Sequence, residues 1–378
     1  MNNIPYGRQW IDEEDISAVA EVLGSDWLTQ GPDIEEFEKA IANYVGAKYV
    51  VTFSSGTSAL HGAMFAAGIR PGDEIITSPI TFVATSNSAI YLGARPRFVD
   101  IDLNTYCIDT SRIEEAITEN TKVIAPVDLA GYPVDIQTII AIARKHKLVV
   151  VEDSAHALGA KRNGKMVGTE AGMSLFSFHP VKHITTGEGG AIATDNEEYY
   201  KKMKIFVTHG ITKDPALLRR NDGPWYYEMQ ELGFNYRLTD FQCALGLSQL
   251  RKIQGFLDRR NEIASMYNEA FKDIEGLVIP PKPVQQTSRH AYHLYPILLT
   301  QIDRKEAYMK LRERGIFTQV HYIPVHLQPY YRDNYGFKRG DYPNAEYYYE
   351  HELSIPMYPR MTDEEVNYVI ESIKSLGK

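Results

Sequence analysis

Cysteine is scarce: Cys107 and Cys243 are the two in 378 residues, they stand far apart, and they match no metal-ligand or disulfide spacing. A disulfide-stapled scaffold and a cysteine-based metal centre are excluded, and no metal is expected. No apolar run approaches the roughly 18 residues a membrane span needs, and the opening Met1-Asn2-Asn3-Ile4-Pro5-Tyr6-Gly7-Arg8 has none of the features of a secretory leader. The expectation is a cytoplasmic protein without a membrane partner. Long Lys/Arg tracts are missing too: 49 acidic residues outnumber 40 basic ones for a net charge of -9. That balance argues against a nucleic-acid partner and leaves room for a local basic pocket for a small anion. No internal repeat or low-complexity tract is visible. Tyrosine, by contrast, is abundant at 25 copies, including Tyr347-Tyr348-Tyr349, which offers stacking surfaces for sugars or bases as well as core and interface packing.

The length exceeds one typical domain and predicts a large domain with a smaller partner. Short β-rich runs at Tyr49 to Phe53, Glu74 to Thr77, Arg97 to Ile101, Val123 to Val127, Leu148 to Val151, Leu175 to Phe178 and Ala191 to Thr194 alternate with helix-length stretches. One of these, Asp135 to His146, repeats apolar residues at Ile136, Ile139, Ile140 and Ala143 behind a capping aspartate. Strands alternating with helices read as an α/β domain around a mainly parallel sheet covered on both faces. Beyond residue 239 the pattern changes to a long helical stretch, Thr239 to about Phe271, expected to be interrupted or bent near Gly255. After the connector Pro280-Pro281-Lys282-Pro283 come a strand at Tyr292 to Leu299 and helices at Arg304 to Arg314 and Asp363 to Leu376, a smaller α+β unit. The division expected is 1–255 for the large domain with its N-terminal segment, which carries a helix at Asp12 to Leu23, and 256–378 for the small one.

Parallel sheets place ligands at the carboxyl ends of their strands, so the residues just past each run carry the chemistry. After Phe53 comes Ser54-Ser55-Gly56-Thr57-Ser58-Ala59-Leu60, a glycine turn with hydroxyls opening a helix, which is an anion site through its free N–H groups and dipole. Helix capping alone would also account for these hydroxyls. Phe82, past the strand ending at Thr77, can cover a planar ring or pack in the core. Glu152-Asp153-Ser154-Ala155-His156 sets a carboxylate at a strand end; buried there, Asp153 needs a cationic partner such as a protonated ring nitrogen, or else it caps the following turn. Finally Ser177-Phe178-His179-Pro180-Val181-Lys182 leads into Thr186-Gly187-Glu188-Gly189-Gly190. A lysine at a buried strand end is desolvated towards its neutral, nucleophilic form, able to make a Schiff base with an aldehyde; a snorkelling surface lysine is the plain alternative. Anion cradle, aromatic cover, aspartate and lysine together match what pyridoxal 5′-phosphate (PLP) demands.

The chain resembles the sugar aminotransferases of the DegT/DnrJ family across nearly its whole length. The matching residues are Leu28-Thr29-Gln30-Gly31-Pro32, Ser55-Gly56-Thr57-Ser58-Ala59-Leu60, Thr81-Phe82-Val83-Ala84-Thr85, the segments around Asp153, Lys182 and Gly189, and Gly233-Phe234-Asn235-Tyr236-Arg237. The resemblance implies PLP-dependent transferase fold type I, with a mainly parallel seven-stranded sheet in the large domain and a C-terminal α+β domain. It implies that Lys182 is the Schiff-base lysine, that Asp153 pairs with the pyridine nitrogen, that Phe82 stacks on the ring, and that Gly56, Thr57, Ser58 and Ser177 hold the phosphate. Asn235 is implied to reach that phosphate from a partner subunit, making a homodimer with shared sites the smallest competent unit. His156 stands where many relatives carry glutamine, with the cofactor's phenolic oxygen as its expected partner. His183 follows the lysine, and some relatives with histidine in place of the lysine are dehydratases; the register of Ser177-Phe178-His179 puts Lys182 in the Schiff-base position.

Pro5-Tyr6-Gly7-Arg8-Gln9-Trp10-Ile11 and Pro224-Trp225-Tyr226-Tyr227-Glu228-Met229-Gln230-Glu231-Leu232 look most like enzymes of the pseudaminic acid pathway, which aminate a UDP-linked 4-keto-6-deoxy sugar with L-glutamate as donor. His321-Tyr322-Ile323-Pro324-Val325-His326 resembles the family's substrate segment, so His321, Tyr322 and His326, with Arg8 and Arg237, are expected to contact the sugar nucleotide. Surface or interface roles are the alternative for each. The 4-keto sugar, its nucleotide and the residues that hold glutamate are left open by the sequence.

Overall fold

The structure, a computed structural model, describes residues 3–376; Met1, Asn2, Gly377 and Lys378, at the ends of the two domains expected at 1–255 and 256–378, lie outside the described residues. The alternating apolar runs form seven strands: β1 (Tyr49–Phe53), β2 (Glu74–Thr77), β3 (Arg95–Phe98), β4 (Thr121–Ala125), β5 (Val149–Asp153), β6 (Met173–Ser177) and β7 (Gly190–Thr194). They make one sheet in the order β1-β7-β6-β5-β4-β2-β3. β6 through β3 pair in parallel, and β7 alone runs against both of its neighbours. The strands are mostly buried because helices cover both faces, as a parallel sheet requires, with Arg95 and Arg97 confined to the edge strand β3. Two apolar cores lie against the two faces of this region, one containing Val51, Phe53 and Leu175 and the other Val50, Phe176 and Ala191.

Several strand bounds move by two residues from the expected ones. β3 starts at Arg95 and not Arg97, and β5 extends through Asp153 rather than ending at Val151. The second shift matters, since it makes Asp153 the last residue of a buried strand rather than part of a turn. Helix starts were more legible. Asp12 caps Glu13–Leu23 (α1) in a reciprocal capping box with Asp15, and Asp135 caps Ile136–His146. Pro32–Val45 (α2) begins on a proline in its first turn and ends at Gly46 in the left-handed conformation, which is glycine's usual place after a helix.

The break expected near Gly255 is absent. Asp240–Phe271 (α3) is one helix of 32 residues, and a lone glycine on an open helix surface lowers helix propensity by only about 1 kcal/mol. Tertiary packing outweighs that cost. The first half of α3 buries Cys243, Leu250, Ile253 and Leu257 in the core of the large sheet. Its second half buries Ile263, Ala264, Tyr267 and Phe271 in the core of the C-terminal region, and each such large side chain stabilises by about 1.5–3 kcal/mol. α1 is tied to α3 by Lys252, whose amine reaches Asp12 and Asp15 at 2.7 Å each, and by Gln249, which donates to Asp15 at 2.7 Å. Ile4 belongs to the C-terminal core and bridges in parallel to Ile316. The N-terminal segment therefore clasps both regions.

The C-terminal sheet contains β8 (Leu277–Val278), β9 (Tyr295–Leu299) and β10 (Glu352–Ile355), all antiparallel. β9 starts three residues later than the periodicity predicts. The backbone from 290 to 294 is drawn instead to the turn at 130–131: the Ala291 N–H donates to Gly131 O at 2.9 Å and the Leu294 N–H to Ala130 O at 3.3 Å. No helix among the described residues is long and apolar enough to cross a membrane.

Candidate active site

Because β1, β2, β5 and β6 point the same way, the segments that follow them converge at one edge of the sheet. They line a cavity of about 450 Å³ together with 293 and 321–322 from the C-terminal region. Gly56, Thr57, Phe82, Asp153, His156, Ser177, Lys182, His321 and Tyr322 all line it. Nine residues separated by up to 266 positions in the chain thus share one space.

The turn after β1 is held by its own hydroxyls. Ser55 accepts from the Ser58 N–H at 3.1 Å, and the Ser58 hydroxyl donates to Ser55 O at 2.8 Å. This box caps the helix Gly56–Ala66 and consumes Ser58, which is buried and does not line the cavity. The first-turn N–H groups of Gly56 and Thr57 have no acceptor one turn back, as helix geometry dictates. Opposite them is Ser177. A Cβ on Gly56 would come within 3.3 Å of Ser177 Cβ and Oγ, and one on Gly190 within 2.7 Å of Gly56 N and Ser55 O, so glycine keeps this cradle narrow but open.

Asp153 is 6% exposed. Its carboxylate accepts from Thr85 Oγ1 at 2.6 Å and from the Ala155 N–H at 3.2 Å, and Thr85 Oγ1 in turn lies 2.7 Å from Thr81 Oγ1. Burial pushes its pKa up; the two hydrogen bonds and the Lys182 charge oppose the shift without cancelling it. Neither lysine nor arginine is within ion-pair reach of this carboxylate among the described residues, so it is a buried acid awaiting a cation.

Lys182 follows a turn closed by its own N–H on His179 O at 2.9 Å, and the loop beyond it is pinned by Phe178 N to Gly189 O at 2.9 Å and Thr186 N to Phe178 O at 3.0 Å. Burial lowers the amine pKa to about 7; the Asp153 charge works against this and the Arg260 charge with it. Near neutral pH about half of it is a free nucleophile. Among the described residues the one polar contact of the amine is His293 Nε2 at 3.4 Å. His183 turns the other way and hydrogen-bonds Ala291 O at 3.1 Å through Nε2. The lysine, not the histidine beside it, faces the cavity.

His156 has both nitrogens engaged. Nδ1 accepts from the Ala130 N–H at 3.2 Å, which places the ring hydrogen on Nε2 and makes it the donor to the Tyr322 hydroxyl at 3.2 Å. A bond from His156 to a ligand therefore requires Tyr322 to turn away. Phe82 is 57% exposed, with Tyr322 at a ring-centroid distance of 6.0 Å, so it is not a core aromatic.

Besides Ser58, Arg8, Arg237 and His326 do not line this cavity, nor does Asn235, which is expected to serve the site of a partner subunit. Arg8 and Asn235 are exposed. Arg237 lines a separate cavity of about 300 Å³ with Gln30, Glu38 and Lys204, and its Nε is buried without a partner. His326 is fully buried and hydrogen-bonds Glu346 at 3.0 Å, so it is a packing residue in this chain. The sequence reading missed His293, whose ring lies tilted at 4.4 Å from that of His156 and whose Nδ1 has no partner among the described residues, and Arg260 behind it. Arg260 is 1% exposed, has no carboxylate partner among the described residues, and donates to Tyr292 O, His293 O and Met357 O at 3.1, 3.2 and 2.9 Å. A histidine inside the otherwise apolar Ala291-Tyr292-His293-Leu294-Tyr295 was the available signal.

Residues 9–374 match the DegT/DnrJ/EryC1/StrS aminotransferase family. The chain belongs to that family. It is 42% identical to the spore coat polysaccharide biosynthesis protein SpsC of Bacillus subtilis and 39% identical to the UDP-4-amino-4,6-dideoxy-N-acetyl-β-L-altrosamine transaminase of Campylobacter jejuni, each match covering 99% of this chain and 97% of the relative. Among solved structures it superposes on Helicobacter pylori PseC, an aminotransferase involved in the biosynthesis of pseudoaminic acid, with a TM-score of 0.92 at 36% identity over 100% of both chains. It also superposes on the PLP form of a sugar aminotransferase of Streptococcus pneumoniae, with a TM-score of 0.92 at 33% identity over 99% and 98%. This family member is thus an aminotransferase of PLP fold type I that uses PLP. The cavity fits that group: a donor-lined anion cradle a Cβ would fill, a buried carboxylate lacking a cation, and a desolvated amine.

Arg260 gives a first prediction. Arg260→Met removes a positive charge that holds the Lys182 pKa down, so the midpoint for PLP capture by the apoprotein, followed by absorbance, moves above pH 7. An unshifted midpoint would show that this charge does not reach the amine.

Proposed function

We propose that this aminotransferase is cytoplasmic and transfers the amino group of L-glutamate to C4 of a UDP-linked 4-keto-6-deoxy-N-acetyl-hexosamine, forming UDP-4-amino-4,6-dideoxy-N-acetyl-β-L-altrosamine for pseudaminic acid synthesis. The observation that carries the reading is the joint placement of Lys182, Asp153 and the Gly56–Ser177 cradle in one cavity, in a chain whose named relatives include an altrosamine transaminase.

Bound PLP supplies an aldehyde and an electron-withdrawing ring. The Gly56 and Thr57 N–H groups and the Thr57 and Ser177 hydroxyls would hold its phosphate at the helix N-terminus. Asp153, fixed by Thr85, would sit against the ring nitrogen and keep it protonated, and Phe82 would cover one face. Lys182, close to neutral at physiological pH, takes the proton from the donor's α-carbon and later delivers one to C4 of the sugar. His293, beside the amine and too desolvated to carry charge, receives a hydrogen bond from Lys182 when the amine is free.

A homodimer with shared sites belongs to this reading. Trp225, Tyr227, Met229 and Leu232 are 71%, 54%, 64% and 75% exposed, apolar surface of the kind that marks an interface. Asn235 and Arg237, placed outside the cavity of their own chain, lie near that segment in sequence and would serve the partner's site.

The test is turnover with L-glutamate on a panel of UDP- and dTDP-linked 4-keto sugars. The reading expects the UDP-linked 4-keto-6-deoxy-N-acetyl-hexosamine to have the highest kcat/KM. Preference for a dTDP sugar or for a UDP-pentose would overturn the substrate assignment and leave the aminotransferase intact.

A further inference from the structure

Glu352 is a buried carboxylate that the chemistry above does not use. It lies in β10 with no exposure, and its neighbour on the same strand face, Ser354, is equally buried. Instead of a cation, the carboxyl group has Ser354 Oγ 2.5 Å from Oε1, and its Oε2 accepts from the His321 N–H at 2.8 Å. Ser354 Oγ also lies 2.9 Å from His321 Nδ1. His321 lines the cavity a short way from Lys182, and its Nε2 has no hydrogen-bond partner within the described residues.

We propose that Glu352, Ser354 and His321 form a hydrogen-bond relay that sets whether His321 offers the substrate a donor or an acceptor. Its resting state is a neutral Nε2–H donor for an anionic oxygen of the sugar nucleotide. The proposal rests on the substrate class assigned above.

The relay follows from counting hydrogens. A serine hydroxyl has one. When it is given to an ionised Glu352, Ser354 Oγ must accept from Nδ1–H, and His321 shows the cavity a bare Nε2 lone pair. When Glu352 carries a proton on Oε1, that proton is donated to Ser354 Oγ, the serine hydrogen turns to Nδ1, and the ring hydrogen sits on Nε2. The two states differ by one proton, which enters at Nε2; the Nδ1 hydrogen passes to Ser354 and the serine hydrogen to Glu352, with no other bond changed. Burial raises the Glu352 pKa to about 8, and the Arg304 charge opposes that shift. The other titratable groups facing Glu352 are the phenols of Tyr106, Tyr322 and Tyr348, uncharged at neutral pH. Imidazolium is a poor alternative: burial and the Lys182 charge push the His321 pKa down to about 3, and the rings packed against it are the uncharged phenols of Tyr6, tilted, and Tyr322, edge-on. A histidine that cannot become a cation binds an anion only as this neutral donor.

Glu352→Gln provides the decisive variant. The His321 N–H needs an acceptor, so the amide oxygen faces it and the amide NH₂ faces Ser354, reproducing the protonated carboxyl at every pH. The experiment is nitrogen NMR of histidine-labelled, PLP-loaded protein, with His321 assigned by its loss in His321→Asn, paired with calorimetry of UDP-N-acetylglucosamine, whose diphosphate does not titrate in this range. In the native protein His321 should change from Nε2–H to Nδ1–H as pH rises through about 8, and affinity should fall by up to about tenfold per pH unit above it. Glu352→Gln should keep Nε2–H and a flat affinity, while Ser354→Ala uncouples the tautomer from Glu352. The same tautomer in native protein and Glu352→Gln on both sides of pH 8 would overturn the relay, whatever binds. A tautomer switch with no UDP-N-acetylglucosamine binding at any pH would overturn the anionic-sugar role and the nucleotide-sugar reading, but not the relay.

Discussion

Lys182→Ala binds PLP and loses turnover by about 10⁴-fold or more, since it removes both the amine that engages the aldehyde and the group that moves the substrate proton. The cradle and Asp153 are untouched, so cofactor affinity measured by fluorescence quenching should survive while steady-state amination of the sugar disappears. Undiminished turnover would remove Lys182 from the chemistry. The same variant carries a stability signature with a definite sign. The folded protein lowers the lysine pKa from 10.5 to about 7, so between those values the unfolded chain holds the extra proton. The cost of burying the cation is full below pH 7 and fades as pH rises towards 10.5. Apo Lys182→Ala should therefore melt higher than the native apoprotein at neutral pH, with the gap closing on the alkaline side. A gap that widens with pH would contradict the buried-cation account.

Asp153→Asn should lower kcat by about 10²- to 10⁴-fold with a smaller effect on PLP affinity. Asparagine keeps the size of the side chain and, with its oxygen on the Ala155 N–H, turns its NH₂ to donate to Thr85 Oγ1, now 2.6 Å from the carboxylate, but it carries no charge to hold a ring nitrogen in its protonated form. Two roles were open for this residue from sequence, partner of a cationic ring or cap of the next turn. The variant separates them. The capping bond from the Ala155 N–H, 3.2 Å long, is available to asparagine as well, so a purely capping Asp153 predicts near-native kcat. A rate within a fewfold of the native enzyme would sink the ring-partner role.

Much of this site was legible because the strands are parallel. Residues at or just past the ends of β1, β5 and β6 must emerge on one side of the sheet, so Thr57, Asp153 and Lys182 group from the sequence alone. Local rules failed where a side chain had a nearer claim on it. Ser58 sits in the expected cradle, yet its hydroxyl is one bond too useful to the helix cap to face the cavity. His326 falls in the expected substrate segment, but the turn of the backbone directs it to Glu346. Gly255 reads as a break in the pattern, and packing at both ends of α3 overrides it.

By itself the sequence determined the α/β alternation, the helix caps, and the lysine, aspartate and glycine turn at the strand ends, because each rests on spacing within a few residues. Tertiary structure alone decided that His293 meets Lys182, 111 positions away, and that Arg260 ties the Tyr292 and His293 carbonyls to that of Met357. It alone brought Glu352 and Ser354 beneath His321, where β10 passes the substrate segment. These contacts join segments far apart in the chain, and no local preference for helix, strand or turn encodes them.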